Sequence, residues 1–90
     1  MTGLDDSTLR RHIAAAVEAA HPVTAARAAL LAAFVRAEGD CALHALDMDS
    51  LALMEFCIAL ELSIGVALTP EDVQDAQSLG GVVATVLARS

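Results

Sequence analysis

Apolar residues recur at helical spacing in almost every segment of this chain. Asp5, Asp6 and Ser7 suit a helix start. Behind them Leu9, Ile13, Ala16, Val17 and Ala20 share one face of a helix. His21-Pro22 interrupts that pattern, because proline lacks an N–H and disfavours helix in the residue before it. A second segment places Val23, Ala26, Leu30 and Phe34 on one side, with Val35 beside them, either as a separate helix or as the far half of a kinked one. Gly39 and Asp40 end it. Cys41 to Leu46 reads as a loop from which Leu43 and Leu46 reach the core. Asp47-Met48-Asp49-Ser50 approaches a new helix in which Met54, Cys57, Ile58 and Leu62 keep helical spacing after Leu51.

Gly65 suits the end of that helix. Val66-Ala67-Leu68 forms a short extended link. Thr69-Pro70-Glu71-Asp72 is a helix start: Thr69 caps, Pro70 takes the first helical position, and Asp72 reaches back as in a capping box. That helix runs from Pro70 to about Ala76. Ser78 caps a last helix with Leu79, Val82, Val83, Val86 and Leu87 inward. Gly80 and Gly81 weaken its first turn by roughly 1 kcal/mol each relative to alanine, and leave room for close helix packing. The Leu9–Ala20 face has two readings, a docking face for a partner helix or second copy, or an ordinary core-facing stripe.

Composition sharpens this picture. Ninety residues make one domain, 1–90, that buries roughly 60–65% of its unfolded surface. Twenty alanines and only two aromatics, Phe34 and Phe56, favour helices packed through Leu, Val, Ile and Met. The net charge of −7 is uneven: residues 1–37 sum to +1 and residues 38–90 to −8. Such a surface repels nucleic acid, since phosphate binding needs Lys and Arg. It steers toward basic patches on partner proteins, or serves only to keep an apolar domain in solution.

Cys41 and Cys57 lack metal or redox spacing; Cys57 reads as a buried small hydrophobe and Cys41 as an exposed loop thiol. His12, His21 and His44 share no ligand spacing with the cysteines or acids. Gly80-Gly81 lacks the lysine of a phosphate loop. Residues 2–12 are too polar for a signal peptide, and the longest apolar run, Ala28 to Val35, is too short to span a membrane; a cytoplasmic protein is the expectation. Ser50, His44 and the nearby aspartates hold the ingredients of a hydrolytic triad, but they crowd into seven residues, whereas triads converge from separate elements.

The stretch DMDSLALMEFCIALELSIGVALT, Asp47 to Thr69, resembles the carrier-protein family of fatty-acid, polyketide and nonribosomal peptide synthesis. Asp49-Ser50-Leu51 matches the family's D-S-L. Glu55 and Glu61 match acidic positions of its second helix, and Gly65 its turn glycine. Pro70-Glu71-Asp72 and Ser78-Leu79 match the starts of its last two helices. The resemblance runs from about Leu43 to Leu87.

The resemblance implies an all-α, acyl-carrier-like four-helix bundle with an extra N-terminal helix or kinked extension: residues 1–21 as an atypical helix, 22–88 as the carrier core. It implies that Ser50 takes 4'-phosphopantetheine from coenzyme A through a phosphopantetheinyl transferase. The arm then holds acyl, polyketide or aminoacyl groups as thioesters for loading and processing enzymes such as ligases, ketosynthases and acyltransferases. Acyl cargo is preferred because the second helix is acidic. Such a chain is not an enzyme. Asp49 both orients the transferase's metal–cofactor complex and places a favourable charge at the helix start, and Leu51 contacts the base of the arm. Met54, Glu55 and Glu61 face partners, although Leu51 and Met54 fit a core stripe equally well and the two glutamates fit a solvated surface. A homodimer through the N-terminal helix is a further expectation. The chain departs from the family in having Asp47 where a glycine precedes the serine by three, and in carrying a helical segment, 23–37, where a long loop is usual. The rival reading is an unmodified helical interaction module, with Ser50 only the N-cap of its helix.

Overall fold

A computed structural model describes residues 5–89. Asp5 Oδ1 accepts the Thr8 N–H at 2.7 Å and opens α1 (Asp6–Ala20). Thr24 Oγ1 accepts the Arg27 N–H at 3.3 Å and opens α2 (Ala25–Val35), so His21-Pro22 divides two separate helices. A single turn, α3 (Leu43–Leu46), follows. Asp49 caps α4 (Ser50–Ile64), which ends at Gly65 with φ 76, the left-handed conformation glycine adopts without penalty. Thr69 and Asp72 form the expected reciprocal capping box on α5 (Pro70–Ala76). The last helix is α6 (Leu79–Arg89), with the Gly81 N–H bonded to Ser78 Oγ at 3.0 Å. These six helices, with no strand among the described residues, make the all-α bundle that the pattern implied.

α1 packs most extensively against α4 and also touches α2 and α6. Leu9, Ile13 and Val17 are fully buried beside Phe56 and Leu60 of α4 and Val82 and Val86 of α6 in one apolar cluster. The Leu9–Ala20 face is therefore spent on the core and is not left for a second copy. α1, set apart at 1–21 by the sequence pattern, is the principal partner of α4. α2 sits more peripherally: it buries only Leu31 and Phe34. Arg10 of α1 fastens its end, donating to the Phe34 carbonyl at 2.9 Å while its guanidinium lies 4.8 Å from the Phe34 ring centre. A cation at a helix C-terminus and over an aromatic face is favourable on both counts.

The segment before Ser50 is stitched to the α5–α6 junction. Leu43 N–H donates to Gln77 O and Leu79 N–H to Cys41 O, both at 2.9 Å, a single antiparallel bridge. This buries Cys41 to 1% exposure, correcting the expectation of an exposed loop thiol; burial pushes its thiol pKa up, as it does that of Cys57. Asp40 Oδ1 accepts the N–H groups of Cys41 and Gly80, each at 2.7 Å. Burial raises the Asp40 pKa, but bonds from Ser78, Gly80 and Cys41 outweigh it and hold the carboxyl below its ordinary value.

The two glycines of α6 reverse their isolated-helix reading. A Cβ on Gly81 would stand far inside van der Waals contact of the Ala76 carbonyl oxygen, and one on Gly80 would press on the Asp40 carboxylate. Alanine gains about 1 kcal/mol of helix propensity, whereas overpacking against a backbone atom costs about 1–3. Gly81→Ala is thus expected to lower the urea midpoint; a raised midpoint would mean α5 and α6 part without cost.

At the far end, Arg89 Nη1 and Nη2 reach Asp72 Oδ2 and Oδ1 at 3.0 and 3.1 Å. Arg89 first, then the Thr69 N–H, hold the Asp72 pKa well below the usual carboxylate value. A depressed folded pKa contributes stability above the unfolded pKa, about 4, that is lost as pH falls through the folded one. Urea midpoints measured from about pH 5 to pH 2 are expected to fall, and to fall less steeply in Arg89→Ala.

Candidate functional site: the α4 N-terminus and its exposed face

Ser50 is the first residue of α4 and is exposed. The chain arrives extended at Asp49 (φ −80, ψ −178), whose Oδ1 accepts the Ala52 N–H at 2.8 Å. Capping is thus done by Asp49, and the Ser50 hydroxyl is not consumed by it. The first-turn N–H groups of a helix lack intrahelical acceptors, and with the helix dipole they favour an anion at this end. A phosphodiester on Ser50 would lie in that field.

A groove of about 450 Å³ opens between α3, the start of α4 and the end of α5; Met48 and Leu53, which flank Ser50 along the chain, line it. Leu43, Met48 and Leu53 supply apolar wall; His44, Asp47, Gln74 and Gln77 supply polar wall. A tether with amide groups and methylenes finds both kinds of partner there, so these residues fit a phosphopantetheine arm.

Along α4 the buried side chains are Ala52, Leu53, Phe56, Cys57 and Leu60. Leu51 is 63% exposed and Met54 50%; Ile58 and Leu62 are exposed with them. Of the two readings of Leu51 and Met54, the structure leaves them outward rather than in the core stripe: α4 is apolar on two sides, and its outer side carries Leu51, Met54, Ile58 and Leu62 in a line. Glu55 and Glu61 are exposed too. Spacing from Met54 by four and eight residues was the available signal for Ile58 and Leu62.

The triad ingredients do not assemble. His44 is exposed on α3 and lines the groove, but no hydrogen bond joins it to Ser50. The histidine that does bond a serine is His12, whose Nδ1 meets Ser63 Oγ and ties α1 to the far end of α4. Among the described residues no group of three histidine, cysteine or acidic side chains could hold a metal ion, and no helix is long and apolar enough to cross a membrane.

Two features escaped the pattern. The Cys41–Leu46 stretch contains the helical turn α3, with Leu46 fully buried. Asp47 closes it in the left-handed region, φ 53 and ψ 42. That conformation explains why glycine is usual there, and Asp is among the few other residues that tolerate it.

A family profile described as a phosphopantetheine attachment site matches residues 35–86, more than half of the chain. No curated protein and no solved structure matches it.

Proposed function

The chain belongs to the phosphopantetheine attachment-site family, whose members carry 4'-phosphopantetheine, and we propose that it is a carrier protein modified on Ser50. The observation that carries this reading is the exposed Ser50 hydroxyl at the head of α4, with Asp49 as the cap and the match spanning both. In the transfer, Ser50 Oγ bonds to the phosphorus of the pantetheine phosphate of coenzyme A. The bond to the departing 3',5'-ADP breaks and the hydroxyl proton leaves to the transferase. When bound, the group supplies a mobile thiol that holds cargo as a thioester.

The protein's own residues present that tether. Asp49 fixes the turn before the serine and offers a carboxylate beside it to the transferase's metal–cofactor complex. Leu51 meets the base of the arm. Met54, with Ile58 and Leu62, offers partners an apolar strip, and Glu55 and Glu61 add charge that complements basic enzyme surfaces. Loading and processing enzymes of fatty-acid-like or secondary-metabolite synthesis are the expected partners, with acyl cargo ahead of aminoacyl. In this reading residues 1–90 form one cytoplasmic carrier domain that performs no catalysis itself.

The test is to incubate the protein with a broad-specificity phosphopantetheinyl transferase and coenzyme A and to weigh it intact. A gain of one phosphopantetheine is expected. Unchanged mass with several transferases would favour an unmodified interaction module.

A further inference from the structure

The turn that delivers the chain to Ser50 is weak on its own terms. α3 is one turn long, and a single helical turn is unstable without tertiary support. The residue that ends it, Asp47, is held at a positive φ that L-residues enter at a cost. Only Met48 and Asp49 separate it from Ser50. Looseness here would pass directly to the serine.

One side chain spans this turn from outside. Arg27, on the first turn of α2, donates its Nε–H to the Ala45 carbonyl at 3.2 Å, and its Nη2 lies 3.7 Å from Asp47 Oδ2. The first contact satisfies a carbonyl that so short a helix leaves open. The second holds the residue that reverses the chain. Arg27 is partly buried, unlike Arg36, which stands just past the other end of α2 and pairs only with Glu38 at the surface. The planar guanidinium serves two acceptors at once, which a lysine ammonium on its flexible stem does less well. α2 lies where the family usually has loop, and apart from Leu31 and Phe34 it buries little. Its N-terminal half thus has a structural task.

We propose that Arg27 is a positioning residue for modification at Ser50: it clasps the Ala45–Asp47 turn and so fixes the direction from which Ser50 meets the transferase. The inference rests on the carrier reading and deepens it. Arg27 touches neither the arm nor the reacting atoms. It acts through Ala45 and Asp47, and it compensates for an aspartate standing in the place of a glycine.

The experiment follows transfer from coenzyme A to the full chain by intact mass, for wild type, Arg27→Ala, Arg27→Lys and, as a control, Arg36→Ala. Arg27→Ala is expected to lower kcat about fivefold at unchanged KM, because the serine is bound as before but less often aligned. Arg27→Lys should recover part of the loss and Arg36→Ala should match wild type. Amide hydrogen exchange should quicken in Arg27→Ala at residues 43–49 while α1 and α4 keep their protection. Wild-type kinetics in Arg27→Ala would overturn the proposal. A raised KM with kcat intact would also overturn it, making Arg27 a docking cation, as would a lowered Tm with faster exchange throughout α1 and α4. If wild type takes up no arm, the carrier reading falls, and the exchange pattern alone then decides whether Arg27 holds the turn.

Discussion

Ser50→Ala is expected to take up no phosphopantetheine under conditions that modify wild type fully. The substitution deletes one oxygen and leaves the fold in place. Ser50 is exposed, Asp49 rather than Ser50 caps α4, and alanine is a better helix former than serine. An exposed change of this kind moves stability by no more than about 0.5 kcal/mol. A folded, stable and unmodified variant therefore isolates the nucleophile, with circular dichroism and a urea titration as the check on folding. Modification of Ser50→Ala at the wild-type rate would move the attachment to another hydroxyl and remove the basis for the α4 N-terminus as the site.

The second large effect concerns stability. Phe56→Ala is expected to cost about 3–5 kcal/mol, the range for truncating a fully buried aromatic. Phe56 has no exposure and is, with Phe34, the largest buried side chain. A domain of this length is stable by only about 5–13 kcal/mol, so one substitution removes a large share. The contrast that gives the measurement its meaning is Ile58→Ala, two residues along the same helix and 52% exposed. It is expected to cost less than about 1 kcal/mol. Urea unfolding of the two variants side by side checks both. Equal losses would show that the outer strip of α4 is packed rather than free, and would withdraw it as a partner surface.

That pair also marks where the sequence stopped being informative. Helix ends were legible because capping is local chemistry. The Asp5, Thr69 and Ser78 caps, the Pro70 start and the Gly65 stop each depend on a few adjacent residues, and the structure contains all of them, whereas at α4 the cap is Asp49 and not the Ser50 that the cap reading named. Pro22 marked the break after α1, but whether a separate helix or a kinked continuation followed was decided only by the structure. Ser50 was legible through the D-S-L context and the ordered elements after it. The face of α4 was not, because the helix is apolar on both sides: Leu53, Phe56 and Leu60 repeat at helical spacing, and so do Leu51, Met54, Ile58 and Leu62. Periodicity reports that an apolar stripe exists and cannot rank two of them.

Chain-local chemistry, then, determined most of the helix ends and the candidate serine, since each depends on neighbours a few residues away. Packing between distant segments decided the rest. α1 chose the Phe56 side of α4 and left the Met54 side open. The Ala76 carbonyl made Gly81 a necessity rather than a weakness, and the Gln77–Leu43 bridge drew Cys41 inside. Arg27 reached across 18 residues to Ala45. Contacts of that kind depend on which surfaces meet in space, and no local pattern of residues carries that information.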